Sequence, residues 1–170
     1  ASIYDPETES VGIQFQIGTH PRTARMIDWR HRGLPDLVVA NEDDTPPSAD
    51  VAVGENPGTP PNDLGIQLPS ATGRPAVPIV IGSIQGITEG PSSNHYYVVD
   101  PNHGTILHLQ SNASGTIART PMVLDVLDVR SKGCSYPTDV ARTKTDFAVT
   151  CSGSATIYRF LPNGNLKGTT

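Results

Sequence analysis

Three groups of residues in this chain have types and spacing that suit chemistry. Trp29-Arg30-His31-Arg32 sets an aromatic ring beside basic side chains on an expected turn. That cluster suits an anionic group or the face of a sugar ring, with the indole as platform. The plainer alternative is a Trp packed beneath the turn with solvated Arg neighbours. Glu42, Asp43 and Asp44 offer the oxygen ligands that Ca²⁺ takes, but consecutive carboxylates lack the spaced pattern of a calcium loop. Asp100, His103 and His108 lie close in sequence, with His95 nearby. Five positions separate His103 from His108, so on one strand they face opposite ways unless the turn at Gly104 re-aims one. Solvated turn and edge histidines are the reading adopted, with no metal and no cofactor.

Nucleophilic motifs are absent from the sequence. It holds no Gly-x-Ser-x-Gly, no Gly-rich phosphate loop and no His-Glu-x-x-His, so no catalytic residue is assigned. Gly133-Cys134-Ser135-Tyr136-Pro137 resembles a cysteine-nucleophile fragment only superficially, because Cys151 offers Cys134 a simpler fate. The two bracket one strand-turn-strand unit, and a disulfide closing such a loop contributes about 3 kcal/mol in the chain-entropy model. Asn112-Ala113-Ser114 is a sequon in a polar turn, which makes Asn112 a candidate glycosylation site. Both features favour an extracellular protein or one on a virion or cell surface.

The elements that position these residues follow from period-two patterns. Val11, Ile13, Phe15 and Ile17 alternate on one face of an expected strand. Ala24–Trp29 and Asp36–Ala40 read as strands joined by the turn Arg30-His31-Arg32-Gly33. Val77–Ile81 is a further candidate, demoted to an edge by Pro78. Met122–Val129 is apolar enough to lie mostly buried. Two stretches carry one grammar: short strand, polar turn, apolar strand, tight turn, alternating strand. The first runs from Gly86 to Leu109 and the second from Pro137 to Phe160. Each is an antiparallel meander.

Sixteen Gly and sixteen Pro in 170 residues suit turns and edges rather than helices. The fold expected is all-β, with antiparallel meanders forming a β-sandwich or small barrel in a single domain spanning 1–170. A Pro-rich surface excursion is expected at about residues 41–75, with strand-like pieces at Asp50–Val53 and Leu64–Leu68.

A net charge of −5 with no basic run disfavours nucleic acid, which needs clustered Lys and Arg. No apolar run approaches twenty residues, so no membrane span is expected. The start, Ala1-Ser2-Ile3-Tyr4-Asp5-Pro6, reads as a mature N-terminus or an excised domain.

Both meanders resemble blades of NHL-type β-propellers and their lyase and lactonase relatives. The matching pieces are Tyr97-Val98-Val99-Asp100 with Ile106-Leu107-His108-Leu109, and Phe147-Ala148-Val149-Thr150 with Ile157-Tyr158-Arg159-Phe160 before Pro162-Asn163-Gly164. A poorer third match runs from His20 to Asn41. The resemblance implies a partial or oligomer-completed propeller, and a funnel site in which Glu89, Asp100 and Asp139 would serve a metal-bound, lactonase-like centre. The spacing of the matches is uneven, and three or four blades fall short of the usual ring of six.

Two functions follow. The first is a non-enzymatic recognition or assembly module, such as the protruding or receptor-binding domain of a viral coat or extracellular protein. It would bind a protein or glycan receptor through Trp29–Arg32 and Glu42–Asp44, and open strand edges would favour a homo-oligomer. The alternative is the propeller enzyme or its half.

Overall fold

The computed structural model of the protein describes residues 2–5, 10–14, 20–28, 36–42, 49–54, 62–65, 84–111 and 121–170. Fourteen strands lie among them, and the helical content is one 3₁₀ turn at Arg130–Lys132. The class is all-β, as the alternating patterns require.

A hairpin of β1 (Ser2–Asp5) and β2 (Ser10–Gln14) comes first. Three four-stranded antiparallel sheets follow in chain order. The first holds β3 (His20–Ile27), β4 (Asp36–Glu42), β5 (Ala49–Gly54) and β6 (Asn62–Gly65). The second holds β7 (Ile87–Glu89), β8 (His95–Asp100), β9 (Thr105–Gln110) and β10 (Met122–Asp128). The third holds β11 (Pro137–Arg142), β12 (Phe147–Cys151), β13 (Thr156–Phe160) and β14 (Leu166–Thr169). Each sheet pairs strands in sequence order and stays open, so no barrel closes among the described residues.

The sheets stack face to face, as the layers of a β-sandwich do. The middle sheet is covered on both sides. Val98, Leu107 and Leu109 pack against Ile27, Val38 and Ala40 of the first sheet. Tyr97, Val99 and Ile106 pack against Val140, Phe147, Val149 and Phe160 of the third. Tyr96 through Asp100 are therefore buried without a break. A strand apolar on both faces has to lie between two layers. On β12 the alternation is clean instead: Phe147, Val149 and Cys151 are buried, while Ala148 and Thr150 are not.

The sequence grammar undercounts the strands. The second meander has a fourth strand, β14, beyond its three legible units, and the segment Met122–Val129 supplies the fourth strand of the first, β10, only partly buried. Part of the expected excursion at 41–75 is sheet, since β5 and β6 continue the ladder from β4. Val77–Ile81 and the remainder of that stretch lie outside the described residues.

The expected disulfide is present. Cys134 and Cys151 are joined with their Cα atoms 5.4 Å apart, both buried in the core between the second and third sheets. It ties the segment before β11 to the end of β12.

Close inter-sheet contacts concentrate on the first strands. β3 meets β7, and β7 and β8 meet β11. β7 and β11 run the same way: Gly86 abuts Asp139, and the Arg142 N–H donates to Thr88 Oγ1 at 3.2 Å. A Cβ at Gly86 would stand 2.7 Å from Asp139 Cα, so this approach requires glycine. Gly104 has φ +69 in the turn from β8 to β9, a left-handed conformation that glycine adopts without strain.

Candidate functional site

The approach of β3, β7 and β11 leaves a groove of about 460 Å³. Arg25, Met26 and Ile27 line it from β3, Ile87, Thr88 and Glu89 from β7, and Arg142, Thr143 and Lys144 from the end of β11 and the turn that follows it. The chain brings these together from positions as far apart as Arg25 and Lys144, a separation that only tertiary packing closes. Ile27 and Ile87 are buried core residues, whereas Arg25, Glu89, Arg142 and Lys144 are exposed. The groove is thus aliphatic at its base and predominantly cationic at its lip.

Arg25 donates from Nη2 to Asp139 Oδ2 at 2.9 Å, across the gap between first and third sheets. Both side chains are more than two-fifths exposed, so the pair contributes at most about 1 kcal/mol. Its role is to orient the guanidinium.

The turn carrying Lys144 is held rigidly. Thr143 N–H donates to the Asp146 carbonyl at 2.8 Å, and the Thr143 hydroxyl bonds the Asp146 carboxylate. Lys167 Nζ and Arg159 Nη2 reach the same carboxylate at 2.5 and 2.6 Å, from β14 and β13. These bonds, that of Lys167 foremost and then that of Thr143, lower the Asp146 pKa to about 2 against the opposing effect of burial. A buried carboxylate with two cations and a hydroxyl is fully satisfied, so the turn presents Lys144 from a fixed base.

The sequence-expected acids do not converge on one centre. Glu89 sits on the groove lip and Asp139 is paired with Arg25. Asp100 is buried at the far end of β8: it accepts from the His103 N–H at 3.2 Å and bonds His103 Nδ1 at 2.8 Å. Glu89 pairs with Tyr96 at the other end of that strand, about 13 Å away at a strand's rise per residue. Among the described residues, no group of three or more His, Cys, Asp or Glu side chains is arranged around a common metal position.

His103 and His108 go separate ways, the first to Asp100 and the second to His95. His95 Nδ1 and His108 Nε2 are 2.8 Å apart. Burial lowers the pKa of both rings, and for His108 the neighbouring His95 lowers it further. Burial likewise raises the Tyr97 pKa.

Trp29, Arg30, His31, Arg32, Asp43, Asp44 and Asn112 lie outside the described residues. Glu42 ends β4, its backbone paired with His20 and Ala49. The groove residues Arg25, Thr88, Arg142 and Lys144 were not legible as a site. The one local signal was Arg142-Thr143-Lys144, with two cations separated by one residue at the end of an expected strand.

No helix among the described residues is long and apolar enough to cross a membrane. No family model matches the chain, and no curated protein sequence matches it.

Proposed function

We propose that this protein is a non-enzymatic recognition module whose groove takes an acidic segment of a partner protein. The observation that carries this reading is the charge arrangement at the lip: Arg25, Arg142 and Lys144 stand over an aliphatic floor, with Glu89 the one acid among the described groove-lining residues. Guanidinium groups match carboxylates in a planar, two-bond geometry. A peptide suits the site better than a sugar, because among the described residues that line the groove none carries an aromatic ring to stack on one. β3, β7 and β11 are also the edge strands of their sheets, and edges accept extended chains. The buried disulfide suits an oxidising compartment, hence action outside the cell or on a surface.

Titration calorimetry with poly-L-glutamate tests this. Binding should weaken with salt, and Arg142→Ala combined with Lys144→Ala should lower affinity at least about tenfold, since each charged hydrogen bond is worth roughly 1.5–3 kcal/mol. Absence of binding, or binding unchanged in the double variant, defeats the reading.

A second reading is favoured by one observation. Three consecutive four-stranded meanders lie face to face with their first strands adjacent, the arrangement that stacked propeller blades would have. On that reading the groove belongs to the funnel of an enzyme. Metal-dependent hydrolysis abolished by Glu89→Ala or Asp139→Ala would establish it in place of the first.

A further inference from the structure

The histidine pair belongs to neither reading and lies outside the groove lining. Tyr97, His108 and Asp125 are directly opposed across β8, β9 and β10, so they share one face of the middle sheet. His95 opposes Gln110 and is therefore the diagonal neighbour of His108 on that face. The rings meet with centroids 4.8 Å apart. His108 also packs on Tyr97 at 5.0 Å, and Tyr97 stacks on Phe147 of β12 at 4.5 Å. One imidazole is thus anchored in an aromatic column, while the other stands at the partly exposed start of β8.

Two ring nitrogens at 2.8 Å cannot present lone pairs to each other, so one carries a proton that the other accepts. A metal ion can take the place of that proton. Two ligands on one tetrahedral ion at about 2.0–2.1 Å lie roughly 3.3 Å apart, a separation that a small ring rotation supplies. One nearby charge favours it: Asp125, an anion directly opposite His108 on β10, acts on that ring.

We propose that His95 Nδ1 and His108 Nε2 form a two-imidazole site for a borderline-soft divalent metal such as Zn²⁺, with Asp125 as the neighbouring anion and water completing the coordination. Imidazole nitrogen selects this class of ion over Ca²⁺ or Mg²⁺. The ring that donates this bond shifts its proton, through solvent, to its other nitrogen as the metal binds, so both ligands are neutral imidazoles and charge and atoms balance.

Titration of the full chain with ZnCl₂ in a non-coordinating buffer tests the site. One Zn²⁺ should bind per chain, His95→Ala and His108→Ala should each reduce affinity by at least about tenfold, and Asp125→Asn should weaken it less. His103→Ala should leave binding unchanged. In ¹H–¹⁵N spectra of the imidazoles, Zn²⁺ should shift two of the five histidines. No binding, or binding that survives His95→Ala, overturns the proposal. Circular dichroism checks that each variant folds. Should His108→Ala not fold, the partly exposed His95 carries the test alone, and shifts confined to other histidines refute the site.

Discussion

Asp146 shows how one buried charge governs a turn. Its carboxylate holds Thr143, Arg159 and Lys167 together and so fixes the β11–β12 turn against β13 and β14. Its pKa falls from 3.8 to about 2 on folding. A lowered pKa means that the unfolded chain takes up the proton first as acid is added. The contribution is therefore complete above about 3.8 and is lost as the pH falls towards 2. Urea midpoints measured at pH 6, 4, 3 and 2 (on the order of the carboxylate range) should drop most steeply over the lower interval. Asp146→Asn should lower the midpoint at pH 6 and flatten the acid-induced loss. An equally steep loss in the variant would assign the acid sensitivity to other carboxylates. The cysteines were legible from spacing alone, because a bracketed strand-turn-strand unit returns its ends to one place. Asp146 was not, since its partners Arg159 and Lys167 arrive on two later strands.

Among the elements, β7 is the shortest strand of its sheet, yet it touches both neighbouring sheets. Gly86 makes this approach possible by omitting a side chain where Asp139 and Val140 pass. Gly86→Val should force β7 and β11 apart at a cost of about 1–3 kcal/mol, the usual penalty of overpacking. Thermal unfolding would show it, and binding to poly-L-glutamate should fall with it because the groove walls move. A variant with native stability would mean that β11 can shift freely. Strands with apolar alternation or a continuous apolar run, such as β4, β8 and β12, were legible because burial imposes the pattern. β14 was not: Leu166-Lys167-Gly168-Thr169 has no apolar period and little burial. It is a strand because β13 offers it a ladder, with Tyr158 opposite Thr169 and Phe160 opposite Leu166.

For the molecule as a whole, the decisive feature is a middle sheet with two cores. Ile106 and Leu107 are adjacent on β9 and both are fully buried, Ile106 towards the third sheet and Leu107 towards the first. In a sheet with one wet face, one of two neighbours is tolerant of truncation. Here Ile106→Ala and Leu107→Ala should each cost about 2–5 kcal/mol in chemical denaturation. A cost near zero for either would remove one of the two interfaces. Reducing the Cys134–Cys151 bond should loosen the third sheet and cost about 2–4 kcal/mol. Retention of full stability under reduction would show that the sheet packing alone holds that end.

The all-β class, the antiparallel meanders and the cysteine pairing were determined by the sequence itself. Each rests on local physics: alternation with period two, turns rich in Gly and Pro, and a short loop between thiols. The stacking of three sheets, the groove and the histidine pair were decided only in three dimensions. Arg25 reaches Asp139 and Thr88 accepts from the Arg142 N–H across sheets that no local pattern relates. His95 and His108 meet because the β8–β9 register sets Tyr97 against His108 and leaves His95 on the diagonal. A register is a property of paired strands, and shifting it by one residue would turn that face away, so a single strand's composition cannot specify it.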